Sequence, residues 1–400
     1  MRASPVAVTV TVIFLVLSGS LVAAGPPSVC DLARGLSYDC ETHAITAGDG
    51  FVLEGSHLPA KRTTNSSRRP IILQHGLTDC AFTWLFNARP EQNLATLLVD
   101  RGYDVFLTNS RGNAYSLATT PGSFNSSDDY WKAVDMDRMA QFDVPAFIAF
   151  ALNLTGAEAL SAYVGHSQGG MQGFAAFSTL HPAVARKVKL FVGLAPAVYV
   201  NATTSSVFKK AGDDYVFTLL KDLGTRRVFF TDTVLADVGK LCEVLGPDCW
   251  KGLEDIFGHT NLSNFNVSLW PRMTQYDPAG TSVFNMIHWM QWVRHGLFQM
   301  HNYGDAENQQ RYGRPTAPMY HLDRMTHPPT VIYHGTTDAL VPPAGIARVI
   351  AEVPRGVIRH IELLQDYAHM DFVWGLDAAD RVYRSLIKYV DNADRGLFNE

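Results

Sequence analysis

The feature that most limits how this chain can fold is a pentapeptide, Gly165-His166-Ser167-Gln168-Gly169, set between an apolar run at 160–164 and a helix-like stretch at 170–180. A strand that turns directly into a helix across Gly-x-Ser-x-Gly bends so sharply that the central residue is strained and its side chain projects above the sheet. Glycine at 165 and 169 lets neighbouring segments approach where a Cβ would collide. The motif predicts a strand–turn–helix elbow with Ser167 at its apex. A glycine-rich turn with an idle serine is the plainer alternative, and the flanking strand and helix signals argue against it.

Around this elbow, short apolar runs alternate with helix-like stretches. The runs lie at 71–73, 105–107, 160–164, 188–194, 331–333 and 358–364, and the helical candidates at 91–101, 135–152, 170–180, 344–352 and 378–390. Such alternation predicts an α/β fold, a mostly parallel central sheet with helices on both faces. Ahead of it, runs at 43–47 and 51–58 flank Gly48-Asp49-Gly50, the mark of a β-hairpin. One interval, 200–327, breaks the pattern: it is rich in Trp, Phe and Met and has no clear strand run. A long insertion between sheet strands is expected to form a helical cap over the site. A helical subdomain with its own core is the other reading. The core is then 25–199 together with 328–400.

Residues 1–24 carry one charge, Arg2, then an apolar run from 6 to 17 and small residues at Val22-Ala23-Ala24. This predicts a cleaved signal peptide, with no integral membrane segment after cleavage, and a secreted or lysosomal/vacuolar lumenal protein; an uncleaved membrane anchor is the other reading, and Thr9, Thr11, Ser18, Gly19 and Ser20 interrupt the run against it. Asn-x-Ser/Thr acceptors at Asn65, Asn125, Asn153, Asn201, Asn261 and Asn266 are glycosylation candidates in that lumen. Of the five cysteines, Cys30 with Cys40 and Cys242 with Cys249 are the nearest pairs, and an odd count leaves at least one thiol unpaired. A net charge of −5 with scattered charges offers no basic patch, so nucleic acid is not an expected partner.

A serine hydroxyl needs a base, and the base an orienting carboxylate. On an elbow of this kind the partners follow in the order serine, acid, histidine. The run at 330–333 leads into His334-Gly335-Thr336-Thr337-Asp338, which puts Asp338 just past a strand end. Only His360 and His369 remain beyond it; His360 opens an apolar run and reads as strand, whereas His369 reads as loop. The expected set is Ser167, Asp338 and His369, with Asp366 and Asp371 as competing acids on the base's own loop. Two backbone donors should face a developing oxyanion: the N–H of Gln168, and that of Leu77 at the end of Gln74-His75-Gly76-Leu77. No metal or cofactor is expected. His321, Asp323 and His327 read as a polar loop, and Arg111-Gly112-Asn113 as a turn.

Further motifs carry a resemblance: Cys40-Glu41-x-His43, Asp49-Gly50-Phe51-Val52-Leu53, Asn109-Ser110-Arg111-Gly112-Asn113-x-Tyr115-Ser116, Met139-Ala140-x-Phe142-Asp143-Val144-Pro145-Ala146, and Asp371-Phe372-x-Trp374-Gly375-Leu376-Asp377. With the serine motif and Gln74-His75-Gly76-Leu77, the chain resembles the acid lipase family, of gastric and lysosomal type, from about 39 to 377. The resemblance implies the α/β-hydrolase fold and the same five residues in the same roles. It also implies neutral-lipid esters at a lipid–water interface, triacylglycerols or sterol esters, together with an aromatic cap and a Cys242–Cys249 disulfide in it. Cys80, beside the loop that ends in Leu77, is expected to be free. The chain departs from the family in Thr78-Asp79-Cys80-Ala81-Phe82-Thr83 and in Leu117-Ala118-Thr119-Thr120 after Ser116. The same triad would serve a carboxylesterase or an acyltransferase. A catalytically silent lipid-binding protein would not need all three members in order.

Overall fold

A computed structural model describes residues 26–61, 68–213, 215–230 and 262–398. Residues 1–24, expected to form a signal peptide, and Asn65, Asn261, Cys242 and Cys249 lie outside the described residues. The strands are β1 (Glu41–Thr46), β2 (Phe51–Leu58), β3 (Pro70–Gln74), β4 (Asp104–Thr108), β5 (Ala118–Thr119), β6 (Ala162–His166), β7 (Phe191–Leu194), β8 (Arg227–Phe230), β9 (Ala279–Ser282), β10 (Thr330–Gly335) and β11 (Ile358–Leu364). The principal helices are α1 (Val29–Gly35), α2 (Leu94–Asp100), α3 (Val144–Thr155), α4 (Gln168–Ala175), α5 (Ser206–Asp213), α6 (Val216–Asp222), α7 (Val283–His295), α8 (Asp305–Tyr312), α9 (Pro343–Glu352) and α10 (Arg384–Asp394).

The main sheet runs β1-β2-β4-β3-β6-β7-β10-β11, with β5 beside β2. The β1–β2 hairpin is antiparallel and β2 joins β4 antiparallel, while every pairing from β4 to β11 is parallel. This is the α/β-hydrolase fold. Strands β3, β6, β7 and β10 are buried along their whole length, which is why their sequences read as continuous apolar runs. The edge strand β11 alternates in exposure instead. Successive side chains enter opposite cores. Leu73, Val164 and Tyr333 join one cluster with Trp84 and Trp374; Ile72, Tyr163 and Ile332 join the other with Phe174 and Phe191.

The insertion departs from its sequence reading, because β8 and β9 form a two-stranded antiparallel sheet within 200–327. Strand β9 is Ala-Gly-Thr-Ser, with no apolar alternation to announce it, and its pairing is a tertiary event. Helix α7 follows with ordinary signals. Ser282 caps it by accepting from the Asn285 N–H at 2.8 Å, and Gly296 closes it at φ 61°. A disulfide joins Cys30 in α1 to Cys40 at the start of β1, and Cys80 is free and buried. Among the glycosylation candidates, Asn125, Asn153 and Asn201 are exposed and Asn266 is half-buried.

The turn at Arg111 carries more than a turn. Its buried guanidinium donates to Asp143 Oδ1 at 2.9 and 2.7 Å, and to the two oxygens of Asp49 at 2.6 and 2.9 Å. Asp49 sits in the β1–β2 turn, and Asp143 directly precedes α3. Burial pushes the Asp143 carboxyl up to about 6, and the Arg111 charge opposes that rise. The pair thus locks the edge hairpin to the helix layer. Arg111→Met should leave Asp143 without its counter-charge and Asp49 with only Arg138 at 3.6 Å, and cost about 3–5 kcal/mol in urea unfolding. A loss under about 1 kcal/mol, the range of exposed pairs, would show that the hairpin is held by packing alone.

Candidate active site

Ser167 adopts φ 52° and ψ −117°, a conformation that side chains rarely take. It is held there from several sides. Its N–H donates to Leu194 O at 2.9 Å, and its carbonyl accepts from the N–H groups of Met171 (3.1 Å) and Ala197 (3.2 Å). The glycines around it are dictated by contact. A Cβ on Gly165 would lie 2.4 Å from the Gly169 carbonyl carbon, and one on Gly169 would lie 2.4 Å from Gln74 O. On Gly76 a Cβ would come within 3.1 Å of the Ser167 Cβ, so the loop 74–77 lies directly against the serine.

Asp338 and His369 come together, both buried. His369 Nδ1 donates to Asp338 Oδ2 at 2.8 Å, while Asp338 Oδ1 accepts from the N–H groups of Leu340 (2.9 Å) and Val341 (2.8 Å). That places a proton on Nδ1, so in the neutral ring the lone pair falls on Nε2, the tautomer a base requires. Gly335 at the end of β10 makes the meeting possible, since a Cβ there would sit 2.0 Å from Tyr367 O in the loop carrying His369. The loop is also tied to the elbow. His166 Nε2 donates to His369 O at 3.0 Å, and the two rings lie 4.9 Å apart, centroid to centroid. Burial and the neighbouring His369 keep the His166 imidazole neutral, well below its usual range. Ser167, Asp338 and His369 follow β6, β10 and β11, at the C-terminal ends of parallel strands.

The competing acids have other contacts. Asp371 Oδ2 accepts from the Ala368 N–H at 2.7 Å and so shapes the loop backbone. Asp366 is exposed, its own N–H donating to Thr336 Oγ1 at 2.9 Å. His360 pairs with Glu362 at 2.8 Å on β11.

The Gln168 N–H opens α4 and has no carbonyl four residues back to bond within the helix. Leu77 follows Gly76 on the facing loop. That loop is fixed by His75, whose Nδ1 donates to Gly76 O (2.8 Å) while Nε2 accepts from the Ser110 N–H (3.0 Å); burial lowers this imidazole to about 4. Just behind lies Asp79, whose carboxyl burial pushes up to about 7.

Three contacts from the insertion were not legible in sequence. The Ala279 N–H of β9 donates to Thr78 O at 2.6 Å. Trp289 Nε1 and Asn285 Nδ2 of α7 donate to Gln168 Oε1 at 2.6 and 3.1 Å. Trp289 stood out only as one aromatic among many, and neither Asn285 nor Ala279 belongs to any local motif. The insertion therefore binds both segments that flank Ser167, which is 5% exposed. Among the described residues, no metal-ligating trio forms around the serine; the one such trio, Glu41, His43 and His57, lies on the β1–β2 hairpin.

Comparison with known proteins bears on this site. A family model for the alpha/beta hydrolase fold matches residues 69–241, and one for a partial alpha/beta-hydrolase lipase region matches 29–88. The gastric triacylglycerol lipase of Rattus norvegicus is 36% identical over 382 residues, 93% of this chain and 94% of its own length. That of Homo sapiens is 34% identical, with 94% of each chain covered. A putative lysosomal acid lipase/cholesteryl ester hydrolase of Crotalus adamanteus is 35% identical, covering 88% of this chain and 87% of its own. Among solved structures, a soluble variant of monoglyceride lipase from Saccharomyces cerevisiae superposes with a TM-score of 0.54 at 16% identity, covering 94% of this chain and 98% of that one, a likeness of fold alone.

Gly169→Ala tests the elbow's packing. The added methyl meets Gln74 O and His75 O at 2.4 and 2.6 Å, so unfolding by urea should show a loss of about 1–3 kcal/mol. Gly35→Ala, where nothing lies within 4 Å, is the control and should change stability by no more than about 1 kcal/mol. Equal effects at the two positions would contradict the close approach.

Proposed function

Because the chain belongs to the gastric and lysosomal acid lipase family, we propose that it hydrolyses the esters of neutral lipids through an acyl-enzyme on Ser167. The enzyme is a lipase and thus a carboxylic ester hydrolase. Ser167 Oγ attacks the ester carbonyl as His369 Nε2 takes its proton, and the N–H groups of Leu77 and Gln168 receive the oxyanion. His369 then returns the proton to the departing alcohol. Water repeats the sequence and releases the fatty acid. Asp338 holds the imidazole in its tautomer and stabilises the imidazolium. The observation that carries this reading is the 2.8 Å bond from His369 to Asp338, in a loop whose His369 carbonyl accepts from His166, the residue before a serine held at φ 52°.

The relatives' printed activities, on triacylglycerols and cholesteryl esters, support neutral lipids as the substrate class. Residues 200–327 serve as a cap on a core of 25–199 and 328–400. Helix α6 supports that role: Leu219 and Leu223, one turn apart, are 60% and 73% exposed, with Tyr215 beside them at 54%. Such an apolar face costs free energy in water and is covered at a lipid surface, which favours an open cap there. The gastric and lysosomal relatives fit passage through the secretory lumen, with the leader at 1–24 removed, glycans on exposed Asn125, Asn153 and Asn201, and Cys242 bonded to Cys249 in the cap.

Ser167→Ala should abolish hydrolysis of both emulsified triolein and a short soluble ester, by several orders of magnitude, with unchanged circular dichroism. Retention of roughly a tenth of the rate would remove Ser167 from the role. Asp338→Asn should lower kcat about ten-thousand-fold by imposing the wrong tautomer. Asp371→Asn should cost much less, and the reverse order would reassign the acid.

A Leu219→Ser/Leu223→Ser double substitution should lower activity on emulsified triolein several-fold while sparing the soluble ester. Equal rates of the two proteins on emulsion would exclude this face as the lipid contact. Triolein measured against cholesteryl oleate sets the substrate preference.

A further inference from the structure

We propose that the β1–β2 hairpin holds a divalent metal site of the zinc class, with Glu41, His43 and His57 as ligands. Glu41 and His43 are two residues apart on β1 and so share a face, and His57 of β2 is the register partner of Glu41. Their ligand atoms all lie within 4.8 Å of one another. His43 Nε2 is 3.4 Å and His57 Nδ1 3.9 Å from the same oxygen, Glu41 Oε2.

The state of His57 points to a cation. The residue is buried, and its Nε2 donates to the buried Asp104 Oδ1 at 3.2 Å, so in the neutral ring the lone pair falls on Nδ1. Neither that Nδ1 nor His43 Nε2 has a hydrogen-bond partner, and both face a carboxylate that can only accept. A carboxylate orienting a histidine whose other nitrogen is free is the arrangement that supports metal ligation. Two imidazoles with one carboxylate suit zinc and its neighbours better than magnesium or calcium, which prefer oxygen.

The geometry needs little adjustment. Bonds of about 2.0–2.2 Å at tetrahedral angles separate ligand atoms by about 3.3–3.5 Å. The His43–Glu41 pair is already there, and the exposed Glu41 side chain can rotate to close on His57. Phe106 stacks on His57 at 4.5 Å and Phe150 packs on His43 at 5.1 Å, which holds both rings. Exposure of Glu41 gives the ion a route in and leaves its fourth position to water. Arg68 also reaches Asp104 Oδ1, at 3.4 Å, so the orienting carboxylate keeps a counter-charge of its own.

Asp104 opens β4, whereas Ser167, Asp338 and His369 follow the C-terminal ends of their strands. The metal would therefore sit at the opposite end of the sheet, fastening β1 to β2 just past the Cys30–Cys40 disulfide. Its role would be structural, and the inference does not depend on the lipase reading.

The experiment uses the full chain, stripped with a chelator and titrated with Zn²⁺ by calorimetry and with Co²⁺ by visible absorption. The expected result is one saturable equivalent, a tetrahedral Co²⁺ spectrum and a higher Tm with Zn²⁺. Glu41→Gln and His43→Ala, both at side chains with solvent access, should each weaken binding at least about tenfold and erase the Co²⁺ bands. Hydrolysis of a soluble ester should be the same in all three proteins. Absence of saturable binding by the wild type would overturn the proposal. So would wild-type affinity in both variants, which would place the ion elsewhere.

Discussion

A serine held at φ 52° is the constraint on which the rest of the molecule turns. A residue in such a conformation costs about 1–3 kcal/mol and persists only where its surroundings overdetermine it. Here they do. Backbone bonds from Leu194, Met171 and Ala197 grip the peptide on both sides, and Gly165, Gly169 and Gly76 let three segments meet within van der Waals distance of it. Those contacts demand that β3, β6 and β7 lie side by side, parallel and buried. Buried parallel strands in turn demand apolar helical layers on both faces. The two core clusters, the crossover helices and the edge hairpin all serve that geometry.

The insertion is part of the same mechanical unit. Trp289 and Asn285 hold the side chain of Gln168, whose N–H opens α4, and Ala279 holds the carbonyl of Thr78, next to Leu77. A shift of α7 or β9 would therefore be felt at both flanks of the serine. Asn285 reaches further still, since its Oδ1 accepts from the N–H of Met136, seven residues before Asp143, at 3.1 Å. Polar groups buried this deeply are costly unless paired, and here the pairs run from the insertion to the core.

Much was legible because it is local. The apolar runs at 71–73, 105–107 and 358–364 became β3, β4 and β11 almost residue for residue, and Gly48-Asp49-Gly50 marked the turn of the β1–β2 hairpin. The order of Ser167, Asp338 and His369 narrowed the choice of histidine to two. By contrast, β9 carries no propensity signal, and Arg111 looked like a turn residue although its guanidinium is among the largest buried side chains. Glu41, His43 and His57 gave no metal signature either, because the third member lies across a hairpin and depends on register.

The sequence by itself determined the strand–helix alternation, the sharp turn at Ser167 and the candidate residues at strand ends, since periodicity and glycine placement act over a few residues. Only the tertiary structure decided which acid meets His369, what braces Gln168 and Thr78, and which side chains face one another across β1 and β2. Those are encounters between residues far apart in the chain. They are fixed by sheet order, register and close packing, which no short stretch of sequence contains.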